Sequence, residues 1–292
     1  MRFDSYHPAI NLIYFVSVIA GTLCFLHPVF LALSYLCAFA YSVKLNGRRA
    51  AILNLCLIPL IVLWTLFYAA FNHFGVTNLH RNFIGNQLTL ESIVYGGSIG
   101  VALAGVIMWL ECMHAVFCTD KIVYLFGRVS PKLSLFLAII LRMVPRIRMQ
   151  AQKSQRARQC VGRGIRQGNI LRRIQSFICI FSATLTWTAE SMISISDSMR
   201  CRGYTLPHRT AFSIYRFDNR DRSFVIGLFA CLSVLLAGML LHQTRIYYNP
   251  RIILNRITPL STVFYAAYFV LCMLPMALQI IGEVRNAIQN RV

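Results

Sequence analysis

Two short runs carry the side chains best suited to chemistry with a partner. They are Gln155-Arg-Ala-Arg-Gln-Cys-Val-Gly-Arg-Gly164 and Asp197-Ser-Met-Arg-Cys-Arg-Gly-Tyr204. A guanidinium group presents a planar fork of donors that matches a carboxylate or phosphate two bonds at a time. Both runs lie in residues 120–222, where 19 Lys+Arg face 5 Asp+Glu, so this stretch holds +14 of the chain's net charge of +20. Attraction to anionic lipid, worth about 1 kcal/mol per basic residue, needs only positive charge. Arginine outnumbers lysine 16 to 3 in the stretch, and that bias favours docking to a protein over lipid attraction alone.

The other chemistry-bearing residue types form no constellation. No G-x-x-x-x-G-K-[ST] loop occurs, and Gly162, Gly164 and Gly168 lack both the following Lys-Ser/Thr and a preceding strand. The seven histidines are dispersed, and His73 and His80 have no carboxylate or thiolate at metal-ligand spacing. The ten cysteines form no C-x-x-C pair and sit mostly in apolar segments, where a free thiol behaves as a small hydrophobe. No nucleophile–base pattern is present locally. The expectation is a chain without catalytic residues, metal ligands or a cofactor of its own.

The elements that must position the arginines are read from hydropathy. Hydrophobic residues make up 57% of the chain and charged residues 13%, against about 25% charged in soluble domains. Too little polar surface remains to cover a globule, so the chain reads as an integral membrane protein. Apolar stretches at 10–26, 29–43, 50–71, 89–117, 224–241 and 262–281 are read as six spans. Pro59 and Pro275 are read as tolerated kinks, and Gly96/Gly100 as a small-xxx-small packing face. Residues 72–88 read as a polar loop. The first apolar run has no A-x-A-like site and is expected to be retained as a helix.

Between the fourth and fifth spans, Ser130-Pro131 opens a new helix. Residues 133–141 are apolar but too few to cross a bilayer. Arg142, Arg146, Lys153 and Arg156 share one helical face, which describes an amphipathic helix on a membrane or partner surface. Residues 176–195 reach spanning length, yet Thr184, Thr186, Thr188, Glu190, Ser191 and Ser194 load the second half with polar groups. They are read as a long amphipathic helix, ended by Gly203. The positive-inside rule then puts both termini and residues 120–222 in the cytoplasm of a multi-pass protein of the cell inner or plasma membrane. It does so at the cost of leaving Arg245, Arg251 and Arg256 outside. Domains are expected at 1–119 (about four spans), 120–222 (the basic module) and 223–292 (about two spans). The fold class is an all-α integral membrane protein of about six transmembrane helices with an interfacial module of long amphipathic helices.

With these features assembled, the chain resembles the transmembrane T component of energy-coupling-factor transporters, ATP-driven importers of vitamins and transition-metal ions. The likeness runs in order through Asp4…His7-Pro8, Leu88-Thr-Leu-Glu91, Ser130-Pro131 and Leu141-Arg-Met-Val-Pro145. It ends at Ala157-Arg158-Gln159 and Cys201-Arg202-Gly203-Tyr204. The resemblance implies two cytoplasmic coupling helices, each ending in an arginine that enters a groove on one of two ABC-type ATPase subunits. Arg158 and Arg202 take those roles, flanked by Ala157, Gln159, Cys201 and Gly203. Arg142, Pro145, Asp197 and Tyr204 are then structural residues of the coupling helices. The chain departs from the family at Gln159, where a small Gly or Ser is usual, and at Cys201, often Ala. The resemblance further implies a non-catalytic subunit, ATP bound by the partners alone, and a separate small substrate-binding membrane subunit cradled by residues 133–141 and 177–195. The lipid bilayer is a further partner, and nucleic acid is not. Two competing readings are a membrane-anchored basic protein that contacts anionic lipid or nucleic acid, and a self-contained secondary carrier.

Overall fold

A computed structural model describes residues 3–72, 74–81, 87–164, 169–204, 206, 215, 217–241, 244, 246–248, 251–253 and 258–289. The chain is predominantly α-helical. Its helices are α1 (Pro8–Cys24), α2 (Pro28–Asn46), α3 (Arg48–Phe71), α4 (Leu90–Val116), α5 (Thr119–Val129), α6 (Pro131–Cys160), α7 (Ile170–Cys201), α8 (Asn219–Leu240) and α9 (Pro259–Gln289). Two short antiparallel strands, β1 (Asn78–Arg81) and β2 (Gln87–Thr89), lie between α3 and α4. They stand where the sequence reads as a loop.

Six helices are long and apolar enough to cross a membrane: α2, α3, α4, α7, α8 and α9. The chain therefore has the architecture of a multi-pass membrane protein. These six are not the six read from the sequence. At 17 residues α1 sits at the short end of spanning length. The 32-residue α7 has the apolarity that the sequence reading denied to residues 176–195, whose length it granted, because its apolar first half outweighs the threonines and serines that follow.

The chain divides into two compact units, Met1–Cys118 with Tyr215–Val292, and Thr119–Ile214. In the first unit α4 packs on α1, α2 and α3, while α9 packs on α2 and α8. Its helices begin in a characteristic way. His7 and His27 each precede a proline at the first helical position, and each accepts a backbone N–H on Nδ1, from Ala9 and Val29 respectively, both at 3.3 Å. Proline costs nothing at that position because its missing N–H would be unpaired anyway. Burial pulls the His27 imidazole below its ordinary pKa, which keeps the capping nitrogen unprotonated. At the start of α8, Asp218 and Asp221 form a reciprocal capping box. The exposed Asp218 carboxylate is held below the usual range by its hydrogen bond from Arg220.

Some polar groups buried among the first unit's helices are paired across elements, whereas the buried Asn11 and Asn54 amides and the Tyr41 hydroxyl have no hydrogen-bond partner among the described residues. Trp109 Nε1 donates to Ser34 Oγ at 3.0 Å, and Ser34 shares a 2.8 Å hydrogen bond with Thr22. Pro275 lacks the N–H that the Leu271 carbonyl would otherwise accept within α9. The fully buried Tyr14 hydroxyl donates to that carbonyl at 3.2 Å, from the other end of the chain. Gly96 and Gly100 of α4 face α3: a Cβ on Gly96 would stand 3.1 Å from Tyr68 Cβ, and one on Gly100 3.3 Å from Ile61 Cγ2. That is the close helix approach expected of a small-xxx-small face. The opposite side of α3 exposes Leu55, Leu63, Leu66 and Phe67, a surface suited to lipid.

The second unit is a helical hairpin of α6 and α7 with α5 packed on α6. The Ser134 hydroxyl donates to the Val123 carbonyl at 3.1 Å and ties α5 to the start of α6. Pro145 inside α6 removes one ladder hydrogen bond, the one the Leu141 carbonyl would accept. Residues 215–222, included with the basic module in the sequence reading, fall in the first unit. There the aromatic rings of Tyr215 and Phe217 lie 6.5 and 5.8 Å from His7.

Candidate functional site

The two arginine runs end the two long helices of the second unit, and both ends are closed by the same backbone device. At the end of α6, the Gly162 N–H donates to the Gln159 carbonyl at 3.0 Å and the Arg163 N–H to the Arg158 carbonyl at 2.9 Å. At the end of α7, Gly203 donates to Arg200 at 3.0 Å and Tyr204 to Met199 at 3.2 Å. Each is the paired 5→2 and 6→1 pattern of a Schellman cap, and it needs a residue with positive φ at its hinge. Glycine supplies that residue, with φ 74° at both Gly162 and Gly203.

Superposed by their caps, the arginines are not equivalent. Arg202 is the residue immediately before the hinge glycine, whereas Arg158 stands one turn earlier, within the last turn of α6. The turn therefore comes three residues after Gln159, which remains helical. This is how the first run accommodates a bulky residue where the second has Gly203. Both arginines sit at helix C-termini, where the backbone dipole favours positive charge by about 0.3–1 kcal/mol.

Arg202 is exposed, and Arg158 is half-buried. The Arg158 Nε is shielded from solvent and has no hydrogen-bond partner among the described residues. A shielded donor on a cation is costly to leave unpaired, roughly 1–3 kcal/mol or more. Of the flanking residues, Ala157 and Cys201 are exposed, and Gln159 and Gly203 are half-buried. Pro145 and Asp197 lie exposed on α6 and α7.

Two cavities lie along the α6–α7 hairpin. The first, about 420 Å³, is lined by Arg142 and Arg146 from α6 and by Ser194, Ser198, Arg202 and Tyr204 from the end of α7, over a floor that includes Met143 and Met199. The structure thus brings together Arg142, Arg202 and Tyr204, three residues singled out in the sequence, and leaves Asp197 outside the lining. It joins to them Arg146 and Ser194, read in the sequence only as members of polar helix faces, and adds Ser198. The spacing of four residues in Arg142/Arg146 and Ser194/Ser198 places each pair on one helical face, but only the packing reveals that the two faces meet. Arg158 lies twelve residues beyond Arg146, about 18 Å along the axis, so the two arginine ends are separate sites.

The second cavity, about 570 Å³, is apolar. Its lining includes Ile147, Phe177, Ile180, Phe181, Thr184 and Leu185. The rings of Phe177 and Phe181 stack with centroids 6.4 Å apart, and both side chains are exposed. Thr184 turns its hydroxyl back to the Ile180 carbonyl at 2.7 Å, so it presents its methyl group without an unpaired donor. No cluster of three or more metal-ligating side chains occurs among the described residues. No protein-family model matches the chain, and no curated protein matches it.

Proposed function

We infer that this chain is the membrane-embedded coupling subunit of an ATP-driven importer of the energy-coupling-factor type, carrying vitamins or transition-metal ions. One observation carries the reading. Two long helices of one unit end in arginines, each end is locked by the same two-bond cap, and no described carboxylate pairs with Arg158 or Arg202. Two capped cationic ends, one following α6 and the other following α7, with Arg202 beside Arg146 and Arg158 twelve residues further along α6, suit two separate acidic grooves, one on each of two ABC-type ATPase subunits. The resemblance of Ala157-Arg158-Gln159 and Cys201-Arg202-Gly203 to the family's docking motifs points the same way.

In this reading the ATPases bind and hydrolyse ATP, and the chain itself is non-catalytic. Closure of the ATPases on ATP pulls on the docked helix ends. Helices whose ends are clamped by paired backbone hydrogen bonds transmit that displacement as levels of a lever instead of fraying. The apolar groove containing Phe177 and Phe181 lies on the same hairpin, where motion would reach a small substrate-binding membrane subunit. Although α7 is long and apolar enough to cross a membrane, this reading lays it along the cytoplasmic surface, so that both arginine ends stand on one side.

Affinity purification of the chain from its own membranes tests this. The expected companions are two ABC-type ATPases and a small, apolar membrane protein. Purification of the chain without any ATPase, together with solute uptake by the chain alone in liposomes, overturns the reading in favour of a self-contained carrier.

A further inference from the structure

We propose that the groove between Arg142, Arg146 and Arg202 is a binding site for the phosphate headgroup of an anionic phospholipid. Three arginines line one cavity of about 420 Å³, and no acidic residue lines it. Among the described residues none of the three forms an ion pair. Like charges around one cavity repel one another, and an anion placed between them converts that repulsion into attraction. The chemistry of the lining suits a phosphate in particular. The guanidinium forks match pairs of phosphate oxygens, and Ser194 and Ser198 add two hydroxyl groups from the facing helix.

A second feature selects a lipid over a free phosphate ion. Apart from Tyr204, the remainder of the lining is apolar: Ile139 and Met143 from α6, Ile195 and Met199 from α7. Phe136 and Val144 stand exposed on α6, the former at 64%. A soluble anion has no use for this apolar surface, whereas a phospholipid brings glycerol and acyl carbons attached to its phosphate. Basic pockets with apolar flanks on membrane proteins have this lipid-selective character. The site needs only the chain and the bilayer, but it shares Arg202 with the proposed ATPase-docking end; its variants are therefore placed at Arg142, Arg146 and Ser198, so that the two readings can fail separately.

The test uses the full-length chain, purified without any ATPase, and native mass spectrometry of retained lipid. Phosphatidylglycerol, phosphatidylcholine and inorganic phosphate are the three probes. Phosphatidylglycerol is expected to be retained over phosphatidylcholine. Replacing Arg142→Gln and Arg146→Gln together is expected to weaken retention about tenfold. Replacing Arg172→Gln and Arg173→Gln removes the same charge from the far end of α7 and is expected to leave it unchanged. Ser198→Trp fills the groove without altering charge and is expected to reproduce the loss. Equal losses in the two arginine pairs would mean diffuse attraction and overturn the proposal, as would unchanged retention in the groove variants. Binding of inorganic phosphate that displaces the lipid at equal affinity would assign the groove to a soluble anion and overturn the lipid assignment.

Discussion

Gly162 and Gly203 adopt the same left-handed backbone conformation, φ 74° in each, and close the same two-bond cap at the ends of α6 and α7. A residue with a Cβ is strained there by about 1–2 kcal/mol. Nothing lies within 4 Å of the Cβ that Gly162→Ala would add, so the backbone term stands alone. The variant is expected to lower stability by about 1 kcal/mol, and Gly162→Asn by less, because Asn tolerates this conformation. Gly203→Ala carries an added contact at 3.0 Å to the flexible end of Leu206 and should cost slightly more. Thermal unfolding of the purified variants checks the order.

Tyr14 and Pro275 are coupled through the carbonyl of Leu271. Tyr14→Phe is expected to destabilise by about 1–2 kcal/mol, since it leaves that carbonyl unpaired in an apolar interior. In a Pro275→Ala background the helix regains its own donor, and the same substitution should then cost much less. Equal costs in both backgrounds would mean that the hydroxyl's packing, and not the orphaned carbonyl, is what matters. A double-mutant cycle of unfolding free energies measures the difference.

How much of this was legible in advance follows from the range of the interactions. Helices over the apolar runs, the packing role of Gly96 and Gly100, and the stop at Gly203 are local signals written in consecutive residues. The hairpin of β1 and β2 was not legible, because Asn78-Leu-His-Arg shows no alternation and begins with a poor strand former. The link between Tyr14 and Leu271 joins positions 257 residues apart. No spacing rule reports such a pair. The arginine groove lies between these extremes. Arg142 and Arg146 were on one face by spacing, and only the hairpin brings Ser194, Ser198 and Arg202 opposite them.

The His27 cap predicts a pH dependence with a defined sign. Its Nδ1 accepts the Val29 N–H, and its Nε2 lies 3.4 Å from the Tyr265 hydroxyl, so the folded state favours the neutral ring with its proton on Nε2. Burial depresses the folded pKa below the unfolded value of about 6.5. The stabilisation is therefore complete above that value and is lost as pH falls through the lower, folded pKa. Between pH 8 and pH 5 the wild-type chain should lose more thermal stability than His27→Asn, which caps the helix without titrating in that range.

Packing of α4 against α3 is expected to be intolerant of bulk. Gly96→Leu drives a side chain into Tyr68, whose nearest atoms already stand 3.1 Å from an added Cβ. Overpacking of this kind costs about 1–3 kcal/mol. Gly97→Leu, one position on, meets nothing closer than 3.9 Å and should be nearly neutral. Yields of folded protein after detergent extraction distinguish the two.

The central claim rests on the identity of two arginines. Arg158→Lys and Arg202→Lys together keep the charge and remove the planar fork. If the helix ends dock into carboxylate-bearing grooves of two ATPases, both ATPases should be lost from the chain when it is purified from its membranes. Retention of both at the wild-type ratio would contradict the account and leave a basic module that depends on charge alone.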